Sequence, residues 1–229
     1  MPISYRLVRF ILKVLIRLLA RLEVTGQENF PDRGPYLVVV NHLSIFEPPV
    51  VMTLLPHRAF VLAAIEHRQD FFFGWLMDRV GAIWVRRGEA DLPALRQALQ
   101  VLRQGGVLGI APEGTRSKTG ALQEGKPGAA LLAIKADVPI VPIAVMGTEQ
   151  VLDRLKRLQR PRVRVVIGPP FRLPTARKQL PSRELRAYTD LIMAHLATLL
   201  DPPYRGVYAH HPLVPRSRPW TSLSPPKPK

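Results

Sequence analysis

Val38-Val39-Val40-Asn41-His42-Leu43-Ser44-Ile45-Phe46-Glu47-Pro48-Pro49 decides the fold. It opens as the end of a buried strand, because Tyr36-Leu37-Val38-Val39-Val40 is a short apolar, β-branched run entered from Gly34-Pro35. It then breaks abruptly into polar residues at Asn41-His42. A helix is predicted from Pro48, since proline suits the first helical turn and Glu47 can stand just before it. His42 therefore falls on the loop leaving a strand's carboxyl end, where open α/β sheets hold their ligands. On one continuous helix, His42 and Glu47 would point about 140° apart at roughly 100° per residue. With His42 on the loop and Glu47 at the helix mouth, a carboxylate–imidazole hydrogen bond becomes feasible.

Such a pair has a chemical use. A carboxylate on one ring nitrogen fixes the tautomer, and the other nitrogen is then free to take a proton from an alcohol. A plainer reading stands beside it. Ser44-x-x-Glu47 also fits a helix capping box, with Glu47 reaching back only to the chain. Pro48-Pro49 counts against that box, because both prolines would then lie inside the first turns.

Outward from this stretch, strands and helices alternate. Phe60–Ala64 reads as a strand, 71–77 as a short helix, and Gly81–Val85 as a strand running into Arg86-Arg87-Gly88. Asp91–Gln104 reads as an amphipathic helix stopped by Gly105-Gly106. The strand Val107–Ala111 then leads into Pro112-Glu113-Gly114-Thr115-Arg116-Ser117. That repeats the first pattern: buried strand, polar loop, a glycine for close backbone approach, and an arginine suited to an anion. A helix follows Lys126-Pro127-Gly128, and the two prolines of Val138–Val145 predict an edge or irregular strand. Val163, Val165 and Ile167 mark a further strand and Ser182–Leu200 a helix. The alternation predicts one α/β domain with a mixed, largely parallel sheet flanked by helices.

At the amino end, Ile3–Leu22 reads as one helix. Its cations Arg6, Arg9, Lys13, Arg17 and Arg21 fall within an arc of about 120°. Leucines, isoleucines and Phe10 cover the rest. Spanning a bilayer is disfavoured, since each central Arg or Lys costs about 2.5–3.5 kcal/mol. A helix lying in the interface satisfies both faces, and a helix packed on the domain with a solvated cationic face is the alternative. The charged interior also argues against a secretory signal. The division is thus 1–22 as a membrane-surface helix, 23–200 as the domain, and 201–229 as a proline-rich, disordered tail. His210-His211 in that tail reads as solvated.

The 229 residues carry a formal net charge of +16 and 47% hydrophobic content. This suits a folded domain with anionic partners: lipid phosphate, nucleic acid or an acidic carrier. Without cysteine there is no thiolate nucleophile and no thiolate metal site. No Walker loop, GxGxxG, HExxH or GxSxG elbow is present.

Four stretches together resemble the glycerophospholipid acyltransferases, typified by 1-acylglycerol-3-phosphate acyltransferases. Asn41-His42-x-Ser44-x-x-Glu47 is similar to the family's first block. Gly81–Arg87, Pro112–Ser117 and Val138–Pro142 are similar to the second, third and fourth. Order and spacing match from about Gly26 to Gly168. The family usually carries aspartate where this chain has Glu47.

The resemblance implies acyl transfer from a thioester, on coenzyme A or acyl carrier protein, to the hydroxyl of a lysophospholipid. The foremost acceptor is 1-acyl-sn-glycerol 3-phosphate, giving phosphatidic acid. It implies His42 as general base and Glu47 as the group that orients it. Arg87 and Arg116 hold the acceptor's phosphate, while Glu113, Gly114 and Thr115 shape that pocket. The fourth block would line an acyl channel. No metal and no cofactor are implied. The expected setting is the cytoplasmic face of the cell membrane, held peripherally. Rival readings are the same chemistry on another acceptor, a non-catalytic peripheral lipid binder, and a nucleic-acid-binding protein. Charge alone supports the last, and the aromatics do not interleave with the basic clusters as a stacking platform requires.

Overall fold

A seven-stranded sheet organises the computed structural model, which describes residues 3–86, 91–174 and 180–215, the side chains of 71–73 excepted. Helix α1 (Ile3–Leu19) leads into β1 (Arg21–Thr25) and β2 (Tyr36–Val40). There follow α2 (Glu47–Leu54), β3 (Ala59–Ala64), α3 (Phe71–Val80), β4 (Ala82–Val85) and α4 (Leu92–Arg103). Then come β5 (Val107–Ile110), α5 (Gly128–Ala136), β6 (Ile140–Met146), α6 (Val151–Lys156), β7 (Arg162–Ile167) and α7 (Ser182–Leu199). The strand order is β1-β7-β6-β2-β5-β3-β4. Every neighbouring pair is parallel except β6–β7. The mixed, largely parallel α/β architecture is the one expected from the sequence.

Both faces of the sheet are covered, so β2 is an unbroken apolar run rather than an alternating one. Tyr36 and Val38 turn to a core shared with Val50 and Val51 of α2 and with Leu55 just after it. Leu37 and Val39 turn to the opposite core, filled by α4, α5 and α7. The carboxyl ends of β2, β3, β4, β5 and β6 share one edge with the amino ends of β1 and β7.

Three expectations are corrected. The first helix ends at Leu19, and Arg21 and Leu22 belong to β1. The cations that stay in helical phase through Arg21 conceal a change of period. Arg21, Glu23 and Thr25 are exposed while Leu22 and Val24 are half-buried, the alternation of an edge strand, in register with Arg162–Val166 of β7. Arg160 closes the helix by donating to the carbonyls of Arg17 and Ala20, at 2.6 and 3.0 Å.

The proline-bearing strand β6 is central and fully buried, between β7 and β2. It tolerates Pro142 because β7 has ended there. Gly168 N donates to Pro142 O at 2.9 Å, and the β6–β7 register runs only from Ile143 onward. The absent N–H falls at a gap in the ladder.

The carboxyl segment is packed, not a free tail, through Pro215. Arg205 is 2% exposed, and its Nε donates to Leu200 O at 2.9 Å. Gly206 has φ +50°, and a Cβ on it would lie 2.0 Å from Leu122 O. Leu122 N donates to Tyr204 O at 2.9 Å, and Val207 N to Leu122 O at 3.3 Å. Side-chain burial and backbone pairing replace the apolar periodicity that the sequence lacks. The rest of the predicted tail, 216–229, lies outside the described residues.

Candidate active site

β2 delivers His42 to the carboxyl edge of the sheet, and Asn41 fixes the delivery. Asn41 is 1% exposed. Its amide accepts from Val145 N at 2.7 Å and donates to Val145 O at 2.8 Å. The loop therefore leaves β2 pinned to β6, and the ring that follows has a fixed origin.

His42 Nδ1 lies 2.9 Å from Glu47 Oε2. Glu47 is fully buried, while the imidazole keeps 19% of its side-chain surface exposed. An ionised carboxylate only accepts, so Nδ1 carries the hydrogen and Nε2 presents its lone pair. Glu47 opens α2 one residue earlier than the sequence suggests. Its two oxygens also accept from Ser44 N, each at 2.9 Å, and from the Thr148 hydroxyl. The capping box itself does not form, since Phe46 rather than Ser44 is the N-cap and no side chain caps the helix, but its bond from Ser44 N to Glu47 does. Glu47 reaches back to the chain at a helix start, and it braces the imidazole.

A second buried glutamate holds the same loop from the other side. Glu113, 2% exposed, accepts from His42 N at 2.9 Å and from Gln123 N at 3.0 Å. Burial pushes its carboxyl above the usual carboxylate range, against the pull of those two N–H groups. Ser117 N donates to His42 O at 2.7 Å. The loop after β5 therefore grips the backbone of His42 at both N and O. Gly114 takes φ +69° in its turn, a conformation that glycine adopts without strain.

Of the seven residues singled out from sequence, His42, Glu47 and Glu113 are directly connected. Gly114 and Thr115 sit half-exposed on the same loop, and Arg116 projects into solvent there. Arg87 lies outside the described residues. Sequence reasoning missed Thr148. The available signal was a polar residue following Gly147 where buried β6 ends, the same strand-to-loop break that marks His42.

Beside His42 and Glu47 opens a cavity of about 650 Å³. Its walls are apolar, with Leu12, Leu15 and Leu19 from α1, Leu76 and Met77 from α3, and Phe46 at the start of α2. No residue of Val138–Pro142 lines it, because that block is the buried centre of the sheet. The apolar cavity is built instead chiefly by α1, α2 and α3. Among the described residues no helix is long and apolar enough to cross a membrane.

A family model described as acyltransferase matches residues 21–146, more than half of the chain. The chloroplastic 1-acyl-sn-glycerol-3-phosphate acyltransferase BAT2 of Brassica napus is 30% identical over 160 residues, covering 66% of this chain and 45% of that protein. The 1-acyl-sn-glycerol-3-phosphate acyltransferase alpha of Homo sapiens is 37% identical over 133 residues, covering 57% and 47%. The chain spans about half the length of the curated relatives it matches. Among solved structures, the 1-acyl-sn-glycerophosphate acyltransferase PlsC from Thermotoga maritima superposes with a TM-score of 0.66 at 26% identity, covering 82% of this chain and 76% of that one. The four sequence blocks, the sheet and the matched family model agree: the chain belongs to the glycerophospholipid acyltransferase family.

Proposed function

We propose that this protein transfers a fatty acyl group from an acyl thioester, on coenzyme A or acyl carrier protein, to the free hydroxyl of 1-acyl-sn-glycerol 3-phosphate, giving phosphatidic acid. The observation that carries this reading is the 2.9 Å His42–Glu47 pair opening onto an apolar cavity beside an arginine-bearing loop. His42 Nε2 takes the acceptor's hydroxyl proton as that oxygen attacks the thioester carbonyl. The C–S bond breaks, the ester C–O bond remains, and the imidazolium returns its proton to the departing thiolate. Glu47 holds Nδ1–H throughout and stabilises the imidazolium. Attack is direct, since the chain has no cysteine to form an acyl-enzyme thioester and no GxSxG elbow to present a nucleophilic serine.

Arg116, with Arg87 from the second block, holds the acceptor's phosphate by charge-assisted bonds. Gly114 and Thr115 shape that site, and Glu113 fixes its loop against His42. The acyl chain lies in the apolar cavity, in line with the hydroxyl, and that alignment supplies much of the acceleration. The exposed apolar residues of α1 support a position at a bilayer surface, with the helix's cations on lipid phosphates, and the surface proposed is the cytoplasmic face of the cell membrane. Glu47 in place of the family's aspartate favours one second reading, the same chemistry on another phosphorylated or lysolipid acceptor.

The test is turnover by the purified protein, with products identified by mass after incubation with mixed lysolipids and both donor types. Phosphatidic acid is the expected product. His42→Ala should lower kcat by about 10²–10⁴-fold, the usual contribution of a general base. An unchanged rate would remove His42 from the chemistry.

A further inference from the structure

A second cavity, of about 460 Å³, lies on the other flank of α1 from the apolar one. Ile16 and Ala20 line both, so the helix is the partition between them. The second cavity contains no residue of the His42 or Glu113 loops. Arg9, Lys13 and Arg17 of α1, Arg21 of β1 and Arg160 before β7 line it, and no lining residue is acidic.

Two of these cations are held by the protein itself. Arg9 donates to Thr53 O at 3.3 Å, and Arg160 caps the carbonyls of Arg17 and Ala20. Among the described residues, the side chains of Lys13, Arg17 and Arg21 have no hydrogen bond or ion pair. Glu23 is turned elsewhere, to Arg162 at 3.2 Å. Five like charges converge on one concavity with no described acidic group to neutralise them. Their mutual repulsion is relieved by an anion seated among them.

The neighbouring face of α1 identifies that anion. Leu7, Phe10, Leu15, Leu18 and Leu19 are exposed along the same helix, Leu18 to 66%. None of these five lines the cationic cavity, whose own apolar lining is Ile16, Ala20, Leu22, Val24 and Leu54. A phosphate seated among the cations would leave its acyl chains to run onto the exposed flank of α1, the profile of a glycerolipid at the edge of its acyl layer. An acidic protein or a nucleic acid would leave that apolar surface in water. We propose that the groove between α1 and β1 is a second phosphate site, separate from the acceptor's, which takes the headgroup phosphate of an anionic phospholipid not undergoing reaction. This rests on the membrane-surface reading of α1 given above.

The test is calorimetric titration of the full chain with dihexanoyl phosphatidylglycerol, a soluble lipid with no role as acceptor or product. Saturable one-to-one binding is expected. Arg17→Gln/Arg21→Gln should weaken it about 30-fold, roughly five-fold per cation removed beside a lipid phosphate, and Arg96→Gln/Arg103→Gln on α4 should leave it within about two-fold. Should the first double variant fail to melt with the parent, Lys13→Gln alone serves, with about a five-fold loss. Equal losses in both double variants, or binding that never saturates, would overturn the site. Inorganic phosphate alone binding as tightly as the lipid would overturn the lipid assignment, as would tighter binding of a DNA oligonucleotide. A failed turnover assay leaves this measurement standing, and an absent site leaves turnover standing, so the two readings fail separately.

Discussion

Two buried glutamates meet His42, and they hold different parts of it. Glu47 faces the ring, together with Ser44 N and the Thr148 hydroxyl. Glu113 faces the main chain, taking His42 N and Gln123 N. One carboxylate is local, five residues along the chain, and acts on the imidazole. The other is 71 residues away and acts on where the imidazole stands. The difference separates orienting an imidazole ring from anchoring the loop that carries it. Substituting the first should damage the rate, and substituting the second should damage the fold.

The contrast is sharpest in Glu47→Gln. The side chain keeps its size but presents an amide, which lets the ring settle in the wrong tautomer and cannot stabilise the imidazolium. A fall in kcat of about 10²–10⁴-fold is expected, with melting temperature changed far less, as single-turnover rates and thermal scans would read. If kcat is spared while Tm collapses, Glu47 is an anchor like Glu113. Thr148→Val comes next. It removes a hydrogen bond to a buried charge, worth about 1.5–3 kcal/mol, so kcat should fall roughly 10–100-fold, with recovery in Thr148→Ser. Recovery is the discriminating readout, since a packing role would follow the lost methyl group of serine instead.

Glu113→Gln should have the smallest effect on rate and a visible one on stability. Its amide can still accept from His42 N, but the NH₂ then opposes Gln123 N–H, at a cost of about 1–3 kcal/mol near neutral pH. The pH dependence has a definite sign. The folded carboxyl titrates above the ordinary glutamate value of 4.5 because of burial. Between the unfolded and the raised folded pKa, the native state holds the extra proton, so stability falls as pH rises through that window. Denaturant titrations across it should show the parent losing stability relative to Glu113→Gln as pH rises. A flat difference would mean that burial does not govern this group.

The parts of the site legible in the sequence are those with short-range signatures. The apolar run Tyr36–Val40 breaking at Asn41-His42 locates the imidazole, and Glu47 lies within reach of the same turn. Thr148 is hidden because its partner is 101 residues earlier, and the strand-to-loop break at Gly147 marks its place without showing what its hydroxyl meets. β6 reads as an edge strand because the gap that accommodates Pro142 is made by Gly168, which the strand's own sequence does not contain. The start of β1 reads as more helix because Arg21 satisfies both periods. The carboxyl segment reads as disordered because Arg205 replaces an apolar anchor, a cation buried by capping carbonyls rather than by hydrophobicity.

The carboxyl segment also has a temporal meaning. Tyr204 and Val207 clasp Leu122, next to the Gln123 that steadies Glu113, and the Tyr204 hydroxyl reaches Glu149 at 2.9 Å, beside Thr148. A ribosome makes His42 and Glu47 about 160 residues before it makes this clasp. During translation the early-born dyad waits on props that have not yet been synthesised. The loops that hold the pair are therefore complete only once a segment made about 160 residues later has docked on them.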